Sequence, residues 1–402
     1  MGSLDRKKVK MDFSLEDQKH YADLRQSVRE FVAKEIEPYA DEVAATGDYP
    51  QRQLDAMKEF GLLGIGIPKE YGGKGWSMTE MAIVTEEIAK SCTSSAIVLQ
   101  IYLLGTGPLM LAGTEEQKKK WLPLVASGER TPGFAITEED AGTDAAAIKM
   151  TAVEDGDYYV LNGKKTLVGN YGHSDFYFVF AKTDPEAGGK GITGFIVETD
   201  NPGFKNGITY KKMGLLGQRT GEFELVDCRV PKSDILGEVN KGYGVALGAL
   251  DGGRIQVAAQ SLGVMWRAIE ECKKWCNERI AFGQKLGTLE AIQFKIAEMS
   301  TMYQVAKLAT YRAAIMESAG ADVPRKQKST EVSIAKLFAS EAANRVVYDA
   351  TQIMGGRGYI RGDKCEQLYR DARVYSIFEG SSEVQKMLIG RNTLTGDFVS
   401  EV

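Results

Sequence analysis

Residues 151–168 decide the fold class, and they read Thr-Ala-Val-Glu-Asp-Gly-Asp-Tyr-Tyr-Val-Leu-Asn-Gly-Lys-Lys-Thr-Leu-Val. Three short strand-like runs are separated here by an Asp-Gly dipeptide at 155–156 and an Asn-Gly dipeptide at 162–163. Both dipeptides are typical of the tight turns that join antiparallel strands. Further strand-like runs follow at 176–180 and 193–197. The stretch therefore predicts a central β domain built from antiparallel strands.

Apolar residues recur at helical spacing on both sides of this β segment. Upstream, Leu24, Val28 and Phe31 follow the i, i+4, i+7 spacing of one helix face. Downstream, four long periodic segments predict a helical bundle. The chain is thus expected to be an α+β protein of three parts: an N-terminal helical domain at 11–130, a central antiparallel β domain at 131–242 and a C-terminal four-helix bundle at 243–398.

The charge balance and the scarcity of two residue types exclude several classes of function. The 402 residues include 50 Lys and Arg against 55 Asp and Glu, and this net charge of −5 argues against a nucleic-acid partner. The chain has 5 Cys and 2 His, too few for a disulfide scaffold or a zinc site, so no metal is expected. Neither His20 nor His173 lies beside a nucleophile-elbow motif. Acid–base chemistry is therefore expected to come from a carboxylate.

Neither a membrane-spanning segment nor an export signal is expected from the sequence. No apolar run approaches the roughly 20 residues of a membrane span, so no transmembrane segment is expected. Residues 1–10 lack the apolar core of a signal peptide. The low cysteine content fits a reducing compartment. The expected location is the cytoplasm of a prokaryote, or the mitochondrial matrix for a mature eukaryotic form.

Three motifs carry a resemblance that extends over most of the chain. The first is Ala-Ile-Thr-Glu-Glu-Asp-Ala-Gly-Thr-Asp at 135–144. The second combines Leu-Asp-Gly-Gly-Arg at 250–254 with Glu-Arg-Ile-Ala-Phe-Gly at 278–283. The third is Gln-Ile-Met-Gly-Gly-Arg-Gly-Tyr at 352–359, followed by Ile-Phe-Glu-Gly-Ser-Ser-Glu at 377–383. In order and spacing these motifs resemble the acyl-CoA dehydrogenase family, in particular its short- and medium-chain, butyryl-CoA dehydrogenase-like members.

This resemblance implies an FAD-dependent oxidoreductase that acts on an acyl-CoA substrate. It also implies a homotetramer and electron-transferring flavoprotein as the electron acceptor. Glu379 matches the family's catalytic base, whereas Gly253 stands where some relatives carry the base instead. Without the resemblance, Glu379 would be read as an acid that the dipole of the next helix favours. Burial would raise the pKa of Glu379 and that helix N-terminus would lower it, so the sequence leaves the balance open.

The same resemblance assigns residues to cofactor and substrate. The residues implied in FAD binding are Phe134, Ile136, Thr137, Thr143, Leu167, Val168, Gly169, Arg279, Phe282, Gln352, Gly355, Gly356, Ser381 and Glu383. The residues implied in substrate binding are Thr143, Gln100, Tyr102, Asp251, Arg254, Phe378 and Gly380. Bulky Ile101 and Tyr102 predict a shallow pocket, so the expected reaction is α,β-dehydrogenation of a short, branched or cyclic acyl-CoA to the 2-enoyl-CoA.

Residues 165–170 depart from the family pattern. Relatives carry Trp and a hydroxyl residue in this segment, where the present chain has Leu167 and Gly169. Loss of the hydroxyl removes a hydrogen bond toward the flavin worth about 1 kcal/mol. This change leaves two alternatives open. One is an acyl-CoA oxidase or flavin monooxygenase of the same fold that uses O2, and the other is a non-catalytic member that binds CoA esters or FAD.

Overall fold

The N-terminal part of the chain is helical, as predicted. A computed structural model describes residues 15–319 and 323–396. Its first six helices are α1 (Leu15–Phe31), α2 (Glu37–Thr46), α3 (Gln51–Glu59), α4 (Met78–Ala89), α5 (Thr93–Ala112) and α6 (Glu115–Ala126). A short π-helical segment, Val32–Ile36, joins α1 to α2. The outermost residues of the predicted domains, 11–14 and 397–398, lie outside the described residues.

Capping boxes explain where two of these helices begin. Before α4, the backbone N–H of Ser77 donates to Glu80 Oε2 at 2.6 Å. Before α6, the backbone N–H of Gln117 donates to Thr114 Oγ1 at 3.2 Å, and the Gln117 side chain accepts the Thr114 N–H at 3.0 Å. Each box satisfies backbone N–H groups that have no partner inside the helix.

A single eight-stranded sheet follows. Its strands are β1 (Pro132–Ala135), β2 (Thr151–Asp155), β3 (Tyr158–Gly169), β4 (Phe176–Lys182), β5 (Ile192–Glu198), β6 (Phe204–Thr209), β7 (Thr220–Pro231) and β8 (Ile235–Leu236). The strand order is β6-β7-β3-β2-β4-β5-β8, with β1 beside β4. The pairs β1–β4 and β2–β4 are parallel, and the others are antiparallel. The predicted antiparallel sheet is therefore mostly antiparallel and contains two parallel pairs.

The Asp-Gly hairpin prediction is confirmed, and the Asn-Gly hairpin prediction is wrong. A tight hairpin joins β2 to β3 directly after Asp155. At 162–163, in contrast, β3 continues without a turn and forms an irregularity in its pairing with β7. The Asn162 side chain accepts the backbone N–H of Asp227 at 2.8 Å, and Gly163 has a φ of +142°. The register places Val226 and Asp227 of β7 opposite Asn162 alone, so the irregularity is a β-bulge in β7, where Asp227 has a φ of +47°.

Long helices return after the sheet, so the predicted order of helices, sheet and helices is confirmed. They are α7 (Gly242–Glu278), α8 (Glu290–Ser318), α9 (Arg325–Met354), α10 (Lys364–Ala372) and α11 (Ser382–Leu394). A two-stranded ribbon of β9 (Ile280–Ala281) and β10 (Gln284–Lys285) lies between α7 and α8. Within this part, α8, α10 and α11 each pack on α9.

Two compact units make up the described chain. The first comprises residues up to 38, 77–93 and from 254 onward, so it contains α1, α4 and α8 to α11. The second comprises residues 39–76 and 94–253 and contains the whole eight-stranded sheet. The two boundaries between the three predicted domains rest on changes in sequence pattern rather than on the compactness of the folded chain, and they stay a prediction.

Helix α5 meets the length and composition of a membrane span. Of residues 15–319 and 323–396, it is the one helix that does so, and 72% of its apolar window is buried in the structure. A core helix passes the same test, so this observation is weak evidence for a membrane span. The expectation that the chain has no transmembrane segment stays a prediction.

Candidate active site

A sharp loop carries Glu379 between α10 and α11. The backbone N–H groups of Ile377 and Phe378 both donate to the carbonyl of Val374, at 2.8 and 3.1 Å, and close the turn that precedes it. Glu379 has a φ of +54° and Gly380 a φ of +84°. A residue other than glycine in this left-handed region costs about 1–3 kcal/mol, so neighbouring contacts must hold it there.

Side chains from three helices supply those contacts. Arg254 of α7 donates from Nε to the carbonyl of Glu379 at 3.4 Å. The carbonyl of Gly380 accepts hydrogen bonds from Lys336 Nζ of α9 at 2.6 Å and from Gln385 Nε2 of α11 at 2.9 Å. The backbone carbonyls of Glu379 and Gly380 are therefore both held by hydrogen bonds.

The carboxyl end of Glu379 is shielded from solvent. The residue as a whole is half-buried, but its Oε2 atom is buried. Burial raises the pKa of Glu379 to about 7, against the opposing positive charges of Arg254 and Lys336. Burial thus outweighs the two positive charges that would lower the pKa of Glu379. A carboxyl group that titrates near neutral pH is suited to exchanging a proton with a substrate.

Sequence patterns single out Arg254 and Gly380 near this loop, but they do not mark Lys336. Lys336 lies 44 residues before Gly380, and only the fold brings the two together. The one available signal is a lysine placed among small and apolar residues of α9 that are all buried, namely Val332, Ala335 and Ala339. The sequence Ser-Glu-Val-Gln at 382–385 predicts a capping box, but Ser381 is the residue that precedes α11, so this prediction is wrong.

In the second unit, a buried ion pair braces the segment that follows β1. The side chain of Lys165 is fully buried. Its Nζ donates to Glu138 Oε1 at 2.7 Å and to the carbonyl of Ile136 at 3.0 Å. The Glu138 carboxylate also accepts the backbone N–H of Met150 at 3.0 Å. Burial lowers the pKa of Lys165 to about 8, although Glu138 acts in the opposite direction. This pair fixes the start of the segment that resembles the first family motif and ties it to Met150, which lies beyond the end of that motif.

The predicted cofactor residues of this segment differ in exposure. Thr137 is half-buried, and its carbonyl accepts the backbone N–H of Thr166 at 2.9 Å. Phe134 is half-buried and Ile136 is buried. Thr143 is exposed. Thr137 and Thr143 are therefore the side chains of this segment best placed to meet a ligand.

The departures at 167 and 169 have a steric counterpart in α5. Leu167 is 64% exposed and has a φ of +54°, whereas Val168 is buried. A Cβ atom at Gly169 would lie 2.6 Å from Ile101 Cδ1. Ile101 thus occupies the space that a hydroxyl residue at 169 would need. The two unusual positions are complementary, since any side chain at 169 would displace the terminal methyl group of Ile101.

The variant Gly169→Ser is expected to destabilise the fold by about 1–3 kcal/mol, because the new side chain overpacks against Ile101. The cost should fall when Ile101 is shortened to Ala. A thermal-unfolding double-mutant cycle over G169S, I101A and the double variant measures this coupling. Gly142→Ser is the matched control, since no atom lies within 4 Å of a Cβ at Gly142. Equal costs of G169S in both backgrounds would contradict the steric coupling.

Most of the remaining predicted cofactor residues lie on the surface of the first unit. The guanidinium groups of Arg279 and Arg357 lie 5.8 and 5.1 Å from the centroid of the Trp275 ring. Arg357 follows directly after Gly355 and Gly356, whose Cβ positions are open. The exposed predicted residues are Arg279, Phe282, Gln352, Gly355, Gly356 and Glu383, and Ser381 is half-buried. Two guanidinium groups beside open glycine backbone form a donor set suited to a diphosphate.

The predicted substrate residues fall into two groups. In the second unit, Gln100 and Tyr102 are buried in α5. Tyr102 shares a hydrogen bond of 2.6 Å with Thr131 Oγ1, and Gln100 Nε2 donates to the carbonyl of Gly253 at 3.5 Å. Both side chains thus form hydrogen bonds within the protein, and these bonds hold α5 against neighbouring segments of the second unit. Asp251 is half-buried in α7. In the first unit, Phe378 and Gly380 flank Glu379 in the loop, and Arg254 of α7 contacts that loop.

Sequence models of one protein family match three successive parts of the chain. They are the N-terminal domain of acyl-CoA dehydrogenase at 18–129, its middle domain at 133–228 and its C-terminal domain at 240–394. The chain belongs to the acyl-CoA dehydrogenase family. As a member of that family it is a flavoprotein oxidoreductase that depends on FAD.

Similar acyl-CoA dehydrogenase family proteins include both reductases and dehydrogenases. The chain is 45% identical to 3-(aryl)acrylate reductase of Clostridium sporogenes, over 92% of this chain and 97% of that protein. It is 42% identical to the Caffeyl-CoA reductase-Etf complex subunit CarC of Acetobacterium woodii, over 91% and 96%. It is 38% identical to the mitochondrial short-chain specific acyl-CoA dehydrogenase of Homo sapiens, over 92% and 89%.

Solved structures of the family agree with this assignment. Butyryl-CoA dehydrogenase from Megasphaera elsdenii superimposes with a TM-score of 0.91 at 36% identity, covering 96% of this chain and 100% of that one. An acyl-CoA dehydrogenase from Bacillus anthracis, solved in complex with FAD, gives a TM-score of 0.88 at 30% identity and covers 98% and 70%. The resemblance to the butyryl-CoA dehydrogenase fold is therefore confirmed.

The residues of this chain fit FAD by the chemistry of their donors. Arg279 and Arg357 would supply cations for the pyrophosphate, next to a glycine pair with no side chains to obstruct it, although Arg357 Nε also pairs with Asp363 at 2.9 Å. In the second unit, Thr137 and Thr143 offer hydroxyl groups on a segment that Lys165 holds rigid. No such donor set would be needed by a protein that bound only an acyl chain.

Proposed function

We propose that this acyl-CoA dehydrogenase α,β-dehydrogenates a short, branched or cyclic acyl-CoA to the 2-enoyl-CoA, with Glu379 as the base. The observation that supports the proposal is the shielded carboxyl of Glu379, whose pKa of about 7 lets it be a carboxylate at working pH. In this assignment the carboxylate accepts the α-proton of the thioester. FAD, when bound, supplies the acceptor for the β-hydride.

The remaining residues of the loop serve the same step in this proposal. Charge develops on the thioester oxygen as the α-proton leaves, and a fixed hydrogen-bond donor stabilises that charge. We assign this role to the backbone N–H of Glu379. Arg254 fixes the next carbonyl and Lys336 the one after it, so the donor and the carboxylate are oriented by the same anchored loop.

The rate of dehydrogenation is expected to rise with pH through about 7. Burial raises the pKa of Glu379 to about 7, and only the deprotonated form can accept the α-proton. The acidic limb of kcat/KM against pH reports this group in the free enzyme. The Glu379→Gln variant should lack the limb in its residual activity. A profile that is flat between pH 5 and pH 8 would remove Glu379 from the role of base.

A second candidate is the reverse reaction, reduction of a 2-enoyl-CoA. The Gly169–Ile101 pair favours it, since it removes a hydroxyl group from the region implied in flavin contact. The names of the Clostridium sporogenes and Acetobacterium woodii relatives also describe reductases. Reduction needs Glu379 as an acid, so its rate should fall as pH rises through about 7. The two directions therefore have opposite pH limbs.

The experiment that tests the function uses purified holoenzyme without oxygen. Saturated acyl-CoA thioesters of different length and branching are added to the oxidised enzyme, and loss of the flavin absorbance is followed. Matching 2-enoyl-CoA esters are added to the chemically reduced enzyme, and return of the absorbance is followed. The proposal expects the largest response from short, branched or cyclic acyl groups. If no thioester changes the absorbance in either arm, the chain is a non-catalytic binder.

Oxygen separates the remaining alternative. Once an acyl-CoA has reduced the enzyme, air is admitted by stopped flow. Slow reoxidation supports a dehydrogenase, whereas rapid reoxidation within turnover supports an oxidase or flavin monooxygenase. The product distinguishes those two, because a monooxygenase inserts oxygen into the substrate.

We further propose electron-transferring flavoprotein as the electron partner and a homotetramer as the assembly. The name of the Acetobacterium woodii relative describes a complex with Etf. The exposed Leu167, 64% accessible, offers an apolar contact of the kind that a protein partner covers. Phe282 and Tyr359 are 92% and 87% exposed, which favours burial against further copies. The expected location is the cytoplasm, or the mitochondrial matrix in a eukaryote.

A further inference from the structure

Lys336 is a buried lysine in the middle of α9. Its side chain is inaccessible to solvent, and its ammonium group donates to the carbonyl of Gly380 at 2.6 Å. Burying a lysine without a matching anion costs several kcal/mol, so a purely structural role would be served better by an apolar residue of similar length. The position therefore calls for a function that needs a charge.

The charged groups that act on Lys336 come from the loop before α11 and from the helices α7, α9 and α11. They are Glu379 in the loop, Arg254 of α7, Glu341 of α9 and Glu383 of α11. Glu341 is already engaged, since its Oε1 accepts the hydroxyl of Ser382. Glu383 is exposed and lies in the first turn of α11. Glu379 is thus the shielded carboxyl group of this set, and the anion that acts most strongly on Lys336.

We propose that Lys336 is a positioning residue that favours the ionised form of Glu379 and holds the peptide after it in place. The inference rests on the proposed function of Glu379 for its meaning in catalysis. One contact of Lys336 is structural, the hydrogen bond to the Gly380 carbonyl. The other is electrostatic, since a neighbouring cation favours the carboxylate form. Burial lowers the pKa of Lys336 to about 8, so it is still protonated where Glu379 titrates.

Removal of the charge in Lys336→Met is expected to raise the pKa of Glu379 by about one unit or more. The fraction of carboxylate below pH 7 would then fall about 10-fold. Lys336→Arg keeps the charge and should keep the pKa near that of the wild type. Lys336→Gln is neutral but can still donate a hydrogen bond, so it should behave like K336M in titration. Lys326→Met is the matched control, because Lys326 is exposed on the same helix.

Infrared difference spectroscopy of the holoenzyme titrates Glu379 directly. The signal of its protonated carboxyl group is assigned by its loss in E379Q, and its midpoint is compared between wild type, K336M, K336Q, K336R and K326M. In parallel, kcat/KM is measured against pH for the most reactive thioester. An upward shift of both midpoints in the two neutral variants alone supports the inference.

Other outcomes overturn the inference or separate it from the function. An unshifted infrared midpoint in K336M and K336Q overturns it, as does a rate that falls equally at every pH. If K336M does not fold, K336Q and K336R decide the question. A shifted infrared midpoint with activity independent of pH supports the contact between Lys336 and Glu379. That result would refute the proposed role of Glu379 as the base.

Discussion

Replacing Glu379 by Gln is expected to lower the rate of flavin reduction by acyl-CoA by a factor of about 10²–10⁴, the usual contribution of a positioned general base. The amide of Gln has nearly the shape of the carboxyl group but cannot accept the α-proton. Stopped-flow absorbance of the anaerobic holoenzyme measures this rate. The loop should persist, because Arg254 and Lys336 bind backbone carbonyls rather than the side chain.

The matched control for this prediction is Glu298→Gln. Glu298 is exposed on α8, so the same chemical change there should leave flavin content and rate near wild type. Binding of a product enoyl-CoA to E379Q, followed through the flavin spectrum, shows whether the substrate site is intact. A rate for E379Q within threefold of wild type would refute the assignment of Glu379 as the base.

Replacing Lys165 by Met is expected to lower the free energy of unfolding by about 3–5 kcal/mol, as removal of one member of a buried ion pair usually does. Glu138 would remain buried without its cation, and the carbonyl of Ile136 would lose a hydrogen bond. The segment that these two residues brace carries Thr137 and Thr143, so FAD retention should weaken as well. Denaturant unfolding and flavin content of the purified variant measure the two effects.

Lys164→Met is the matched control for the ion pair. Lys164 is the adjacent residue in β3, but it is exposed, and its partner Glu222 also accepts the hydroxyl of Tyr210, so a cost of at most about 1 kcal/mol is expected. The double variant K165M with Glu138→Gln removes both charges and should recover much of the lost stability. If K165M and K164M lower the free energy of unfolding by the same amount, the buried Lys165–Glu138 pair does not stabilise this segment as proposed.

The order of helices, sheet and helices could be predicted because periodicity is a local property. Helix faces and strand alternation are set by residues a few positions apart, and these patterns survive in any context. The Asn-Gly prediction at 162–163 was wrong for the opposite reason. The side chain of Asn162 accepts the backbone N–H of Asp227 in β7, a strand that is far away in sequence. This contact stabilises a bulge where the local signal favours a turn.

The candidate site could be predicted only in part. Glu379 and Arg254 belong to local motifs that resemble a family, so the sequence marks them. Lys336 and the Lys165–Glu138 pair carry no such motif, and their importance depends on burial that appears only in the folded chain. The steric fit between Gly169 and Ile101 is likewise a property of two elements far apart in sequence.

The left-handed backbone of Glu379 lowers the stability of the fold, whereas its carboxyl group is needed for the proposed activity. A glycine at this position would relieve both the strained φ and the burial of an ionisable group. Random variation screened for heat resistance alone should therefore enrich glycine at 379 and yield a robust but inert protein. Evolution retains the costlier residue only while the chemistry is under selection, so position 379 can reveal which descendants of this chain have abandoned catalysis.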